Sequence, residues 1–165
     1  MKTHQFKTEQ WFPLKRDVVF PFFASARNLQ IITPPWLDFT FLTPEPIEMR
    51  VGARIDYRMR VHGLPIRWQS EITVWDPPFR FVDEQRRGPY RRWVHQHTFV
   101  ERSGGTACQD EIEYAVPGGS LVNWLLVRQD IRKIFEYRRA ALARMLPQYP
   151  AERASNPVDA GGTVA

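Results

Sequence analysis

The segment FVDEQRRGPYRRWVHQHTF, Phe81 to Phe99, decides the fold because it contains two alternating stretches around a turn. Alternation with a period of two on both sides of a Gly-Pro signal is typical of a β-hairpin. The same segment carries two carboxylates, four arginines and two histidines among aromatic residues. We therefore predict a hairpin that also holds most of the functional candidates.

The period-two pattern extends outward from this hairpin in both directions. A first strand is predicted at His4 to Pro13, and six more strand candidates are separated by Pro/Gly signals: residues 36–43, 53–61, 66–75, 79–85, 90–101 and 106–116. Short connectors between successive strands favour antiparallel pairing. The sequence thus predicts a curved antiparallel sheet of about seven strands.

Helical periodicity flanks the strands. Two short helices are predicted between the first and second strands, broken near Ser25 to Arg27, with Pro21 near the start of the first. A long helix is predicted from Ser120 to Leu146. Its apolar stripe comprises Leu121, Trp124, Leu125, Ile131, Ile134, Phe135, Leu142 and Met145.

This order of elements predicts one α+β domain over residues 1–146, followed by a disordered tail at 147–165 that lacks apolar periodicity. A sheet that wraps around a long helix leaves a cavity where its concave face and the helix do not meet. We therefore expect an internal pocket.

Composition and charge exclude several classes of protein. The net charge is +5 and the basic residues are nearly all arginine, but they are interleaved with acids and form no nucleic-acid-binding motif. No segment approaches the roughly 18 to 20 apolar residues of a membrane span, so we expect no stable membrane insertion. The single cysteine, Cys108, fits a reducing compartment, and we expect a cytoplasmic protein with no cofactor.

Four segments resemble uncharacterised bacterial members of the START-like superfamily, also called the helix-grip or SRPBCC fold: residues 22–39, 63–72, 81–99 and 104–117. This superfamily includes Bet v 1-like, lipid-transfer and polyketide cyclase/dehydrase-like proteins, and the resemblance spans about Gln5 to Leu146. It implies a hydrophobic ligand cavity. Related domains also occur beside epimerase-like domains, but this chain contains no GxGxxG dinucleotide motif.

Strand parity places the aromatic residues of the opening hairpin and its histidines on the same, concave face. A turn at residues 87–90 sets Asp83 opposite His95, and a turn through SGG sets His97 opposite Asp110. A buried carboxylate is costly unless it is paired, so Asp–His pairs are a reasonable interior cluster.

Three hypotheses stay open for Asp83, His95, His97 and Asp110. They stiffen the sheet, they orient the polar end of a ligand, or they act in catalysis or metal binding. We assign no metal site, since the spacing shows no third ligand beside His-x-His.

The predicted ligand-binding residues share the concave face or the inner side of the long helix. They are Tyr57, Met59, Trp68, Asp83, Gln85, Trp93, His95, His97, Asp110, Tyr114, Phe135 and Arg138. Trp68 shares its strand parity with Ser70, Ile72 and Val74. Cys108 is predicted to be a small buried hydrophobic residue.

The predicted partner is a small hydrophobic or amphipathic molecule, with no nucleic acid and no identified protein. Arg86, Arg87, Arg91 and Arg92 either keep the hairpin tip solvated or make weak contact with anionic surfaces. The alternative function is a cyclase/dehydratase-type enzyme in which a His/Asp pair moves a proton. A protein-interaction domain is a third class, based on analogy alone.

Overall fold

A computed structural model describes residues 2–44 and 46–149. Within these residues, seven strands form one antiparallel sheet in the order β1-β7-β6-β5-β4-β3-β2. The strands are β1 His4–Phe12, β2 Thr40–Phe41, β3 Arg54–Val61, β4 Leu64–Asp76, β5 Arg80–Arg87, β6 Arg92–Arg102 and β7 Gly105–Ala115. The predicted antiparallel sheet is therefore confirmed.

Two tight turns fix the register of the hairpins. His62 and Gly63 join β3 to β4, and Ser103 and Gly104 join β6 to β7, with positive φ at all four positions. Two-residue turns of this kind match the right-handed twist of the strands. The second turn sets His97 opposite Asp110, as the sequence predicted.

A β-bulge changes the face of the last residues of β4. The register between β4 and β5 shifts between Ile72 and Val74, which turns Trp75 toward the core beside Phe81. The predicted shared parity of Trp68 and Val74 is therefore wrong, because the extra residue reverses the alternation. Val82 pairs with Val74 on the outer face.

The helices after β1 are α1 Arg16–Phe23 and α2 Ala26–Ile31. Pro21 lies in the last half of α1 rather than near its start, because the helix begins in the charged segment before Val18. The strand predicted at 36–43 is reduced to Thr40–Phe41. Pro35–Leu37 forms a 3-10 turn instead, as expected where Pro34 and Pro35 interrupt strand pairing.

The C-terminal helix has three parts: α3 Gly119–Val122, a π-helical turn Asn123–Val127, and α4 Arg128–Met145. Ile131, Phe135 and Leu142 of α4 are buried against the sheet, as predicted. The predicted stripe fails before the π turn: the side chains of Leu121, Trp124 and Leu125 are 65%, 64% and 49% exposed. A π turn inserts one extra residue and rotates the helix face. The spacing of the apolar residues in α4 therefore does not predict which residues are buried in the part of the helix that precedes the π turn.

The domain continues past the predicted boundary at 146. Leu146–Gln148 forms a 3-10 turn, and the ring of Tyr149 packs edge-on against Phe22 at 5.0 Å. Residues 147–149 of the predicted tail are thus part of the fold, and 150–165 lie outside the described residues. No helix of the described ranges is long and apolar enough to cross a membrane.

Candidate functional site

A cavity of about 410 Å³ lies between the concave face of the sheet and the C-terminal helix. Nine of the twelve predicted ligand-binding residues line it: Tyr57, Met59, Trp68, Asp83, Trp93, His95, His97, Phe135 and Arg138. The strand parity and the inner face of α4 were therefore good guides to the wall of the cavity.

Three predicted residues lie outside the lining formed by residues 2–44 and 46–149. The amide of Gln85 donates to the carbonyl of Tyr90 at 2.7 Å and accepts from the Tyr90 backbone N–H at 3.2 Å, so it holds the β5–β6 turn. Tyr114 is buried and packs against Trp93 at 6.0 Å between ring centroids. Asp110 lies behind the histidines.

The helices after β1 supply cavity walls that the sequence reading did not name. Phe22, Phe23, Leu29 and Ile32 line the side formed by α1 and α2, and Phe39 follows in the connection to β2. The signal was present as apolar residues in two short helices, but their orientation depends on tertiary packing. Sequence alone identified the helices without their inward residues.

The two histidines and two aspartates form a closed ring of contacts. His95 Nε2 lies 2.9 Å from Asp110 Oδ1, and His97 Nδ1 lies 2.8 Å from the same oxygen. On the other side, His95 Nδ1 and His97 Nε2 lie 3.7 and 3.4 Å from Asp83 Oδ2. The predicted register, Asp83 opposite His95 and His97 opposite Asp110, is confirmed, but each histidine in fact contacts both carboxylates.

A short polar chain connects this ring to the aromatic wall. Ser70 Oγ donates to Asp83 Oδ1 at 3.3 Å and accepts from the Trp68 indole N–H at 3.0 Å. The Tyr57 hydroxyl lies 3.3 Å from the same Ser70 oxygen. Asp83 is therefore held from both sides, which keeps its carboxylate at a defined place in the cavity wall.

Burial and neighbouring charges shift the pKa values of the clustered histidines and aspartates in different directions. Burial acts to raise the pKa of Asp110, but the contacts with His95 and His97 outweigh it and hold that pKa well below its usual range. Burial lowers the pKa of His95, and the charge of His97 adds to this effect. For His97, burial is outweighed by Asp110 and Asp83, which raise its pKa. The two rings therefore differ: within the cluster, the charged form is disfavoured at His95 and favoured at His97.

Asp83 is the carboxylate of the ring that faces the cavity. Burial acts to raise its pKa, but the hydrogen bond from His97 and the charges of His95, His97 and Arg138 lower it overall. Arg138 also lines the cavity, and its Nε is buried without a hydrogen-bond partner among the described residues. An anionic or polar ligand group would meet a donor there that protein atoms do not already satisfy.

The remaining predicted residues are placed as follows. Cys108 is buried, and burial raises the pKa of its thiol, so its predicted role as a small hydrophobic residue is confirmed. In the basic turn, Arg86 pairs with Glu71 and Glu84, and Arg92 pairs with Glu113. Arg87 and Arg91 are exposed and form no ion pair with any residue in the described ranges.

A contact between the β3–β4 hairpin and α4 bridges one edge of the cavity. His62 Nε2, in the hairpin turn, lies 2.8 Å from Asp130 Oδ2, and both residues line the cavity. Leu126 of the π turn lines the same cavity while its side chain is half exposed. This edge is where the lining meets solvent.

A family model for polyketide cyclases, dehydrases and lipid transport proteins matches residues 12–143. That range begins at the last residue of β1, includes the other six strands completely, and ends near the end of α4. The chain belongs to this family. Family membership supports a ligand-binding fold in general, and members differ in whether they transport or transform what they bind.

Solved structures agree on the fold of this polyketide cyclase/dehydrase family member. Protein Ms6760 from Mycobacterium smegmatis has 18% identity and a TM-score of 0.64, covering 87% of this chain and 90% of that protein. Ara h 8.0201 has 14% identity and a TM-score of 0.63, covering 89% and 99%. The Panax ginseng major latex-like protein 151 has 12% identity and a TM-score of 0.64, covering 89% and 97%.

These structures place the family member in the Bet v 1-like helix-grip fold, and at such identities the likeness concerns the fold alone. A comparison with curated proteins found no match. The chemistry of the cavity therefore has to be argued from the residues of this chain.

Proposed function

We propose that the protein binds a small amphipathic molecule in the cavity between the sheet and the C-terminal helix. The observation that carries this proposal is a cavity of about 410 Å³ whose wall is mostly apolar, with one buried polar cluster on the sheet side and the His62–Asp130 pair at its edge. Pockets of this kind use their apolar walls for affinity and a few polar groups for orientation. The apolar body of the ligand contacts Trp68, Met59 and Phe135, and its polar end meets Asp83, His97 and Arg138.

Arg138 favours a ligand with an acidic or strongly accepting end. Its guanidinium carries a permanent charge, and its buried Nε has no partner among the described residues. A carboxylate, phenolate or enolate on the ligand would accept a hydrogen bond from this group.

The experiment is native mass spectrometry of the chain purified without added ligand, followed by the same measurement under denaturing conditions. A co-purified organic mass that is lost on denaturation supports the proposal and identifies the ligand class. Binding of anilinonaphthalene sulfonate, an amphipathic anion, is measured in parallel by fluorescence. The absence of both a co-purified ligand and saturable probe binding would overturn the proposal.

A second candidate, a cyclase/dehydratase-type enzyme, is favoured by one specific observation. His95 and His97 face the cavity while Asp110 holds both rings from behind, an arrangement that suits general acid–base catalysis. With a ligand identified as above, turnover lost in His97→Ala or His95→Ala with affinity retained favours the enzyme. Lost affinity with no product formed by the wild type favours the binder.

We also propose weak contact between the basic turn and anionic surfaces, and a cytoplasmic location. The support for the first is the two exposed arginines that lack ion-pair partners in residues 2–44 and 46–149, Arg87 and Arg91. Pro89 and Tyr90, between them, line the cavity. A charged surface at this turn would therefore lie next to the ligand.

A further inference from the structure

Three cavity-facing residues on two adjacent strands present nitrogen and oxygen atoms to one point. We propose that Asp83, His95 and His97 bind a divalent transition-metal ion, for which Zn²⁺ is the probe. One ligand atom from each of the three residues lies within 4.8 Å of the others. The site goes beyond the proposed ligand function and does not depend on it.

The distances fit a tetrahedral ion. Zn–N and Zn–O bonds of about 2.0 to 2.1 Å separate neighbouring ligand atoms in a tetrahedron by about 3.3 Å. Asp83 Oδ2 lies 3.4 Å from His97 Nε2 and 3.7 Å from His95 Nδ1. Small side-chain rotations therefore bring both nitrogens and this oxygen to bonding distance of one ion.

Asp110 supplies the support that metal-binding histidines normally have. The ring nitrogens opposite to Asp83, His95 Nε2 and His97 Nδ1, lie 2.9 and 2.8 Å from Asp110 Oδ1. A carboxylate behind each histidine fixes the tautomer and orients the other nitrogen toward the metal. Asp110 does so here through a hydrogen bond with His95 and a close ion-pair contact with His97, and the other nitrogen of each ring faces Asp83.

The backbone and the cavity complete the site. His95 and His97 are two residues apart on β6, and Asp83 pairs with His95 across the β5–β6 ladder, so all three are carried by strands. The same three residues line the cavity, whereas Asp110 does not. Three protein ligands with a remaining position open to a cavity are typical of sites that bind a water or a substrate at the metal.

The positive charge of Arg138 repels a metal cation, and this repulsion provides a test of the proposed site. Its charge acts on Asp83 from within the same cavity. Removing that charge makes the site more attractive to a cation. An Arg138→Gln substitution is therefore expected to tighten metal binding, an effect that a folding defect would not produce.

The experiment is calorimetric titration of the chelator-treated full chain with Zn²⁺ alone, with no organic ligand present. We expect one ion per chain, affinity reduced about 100-fold or more in Asp83→Asn, His95→Gln and His97→Gln, and reduced about 10- to 100-fold in Asp110→Asn. His62→Gln removes an exposed histidine outside the cluster and is expected to leave the affinity unchanged. Co²⁺ bound to the wild type is expected to give the strong absorption of a tetrahedral site.

The outcomes separate this proposal from the proposed function. Absence of Zn²⁺ binding by the wild type, or binding that His62→Gln removes and His97→Gln does not, overturns the metal site. Unfolding curves identify variants that do not fold, and for those the Arg138→Gln titration and the Co²⁺ spectrum decide. A protein that binds Zn²⁺ but neither co-purifies with an organic ligand nor binds the amphipathic probe would keep the metal site and overturn the proposed ligand function.

Discussion

Asp110 lies directly behind His95, with Oδ1 2.9 Å from the ring Nε2, while the other ring nitrogen, Nδ1, faces Asp83 across 3.7 Å. Asp110 lies outside the lining of the cavity of about 410 Å³ and acts on it through the two histidines, as a positioning residue. Its removal leaves the buried His95 Nε2 without its hydrogen-bond partner and His97 Nδ1 without its ion-pair partner. This relationship has a direct consequence for stability.

Asp110→Ala is expected to lower the free energy of unfolding by about 3 to 5 kcal/mol, because breaking a buried pair leaves an uncompensated charge. Asp110→Asn is expected to cost less, since its amide oxygen still accepts a hydrogen bond. The measurement is urea unfolding followed by fluorescence. The control is Glu111→Ala, whose exposed pair with Lys7 is worth under about 1 kcal/mol. Equal losses in the two alanine variants would contradict the role of Asp110.

The stability conferred by His97 is expected to depend on pH. Its pKa is raised in the folded chain: burial lowers it, but Asp110 and Asp83 outweigh burial. A histidine whose pKa is higher in the folded than in the unfolded chain stabilises the fold. This stabilisation is complete at pH values below the unfolded-state pKa of about 6.5. It is lost as the pH rises through the folded-state pKa. The stability difference between wild type and His97→Gln should therefore shrink from acid to alkaline pH.

This difference is measured by urea unfolding between about pH 5 and pH 9 with a chelator present. The matched control repeats the comparison in an Asp110→Asn background, where one of the two carboxylates that raise the pKa of His97 is absent. The decline with pH should be smaller there. A difference that stays constant or grows with pH in the wild-type background would rule out a stabilising imidazolium.

Much of this fold could be predicted because it depends on local patterns. The two hairpin turns and the alternation in β5, β6 and β7 fix which side chains face inward, so the pairing of His97 with Asp110 followed from the SGG turn. The convergence of Asp83 on both histidines did not follow. It depends on side-chain rotamers across two ladders, which sequence spacing does not specify.

Two of the errors arose where one extra residue changes a period. The bulge before Val74 reverses the strand faces, and the π turn at Asn123–Val127 rotates the helix away from the sheet. Neither feature has a clear local sequence signal, because both are set by how the element packs against its neighbours.

Filling the cavity is expected to remove probe binding without unfolding the chain. Met59 lines the cavity and is only partly buried, so Met59→Trp places an indole in the space of the ligand. The matched control is Arg58→Trp, at the adjacent exposed position on the other face of β3. Fluorescence titration with anilinonaphthalene sulfonate should show about a tenfold or greater loss for Met59→Trp only. Equal affinity in the two variants would place the probe outside the cavity.

Contact with anionic membranes is expected to depend on Arg87 and Arg91, the two arginines of the basic turn that form no ion pair with another described residue. Each exposed arginine near a charged surface is worth about 1 kcal/mol, so Arg87→Gln with Arg91→Gln should weaken binding about 30-fold. The matched control, Arg86→Gln with Arg92→Gln, removes the same charge from residues already paired with Glu71 and Glu113, and should weaken it less.

Sedimentation with vesicles containing phosphatidylserine measures this binding, and vesicles of phosphatidylcholine alone give the background. Binding should fall as salt rises, since exposed charges are screened beyond about 10 Å at 0.1 M salt. The two pairs of arginines lie in the same turn, and both double variants lose the same charge. A difference in vesicle binding between the two variants therefore shows that ion pairs within the protein compete with the membrane for the arginines, and it does not reflect net charge. If both double variants bind as the wild type does, the turn only keeps the hairpin tip solvated.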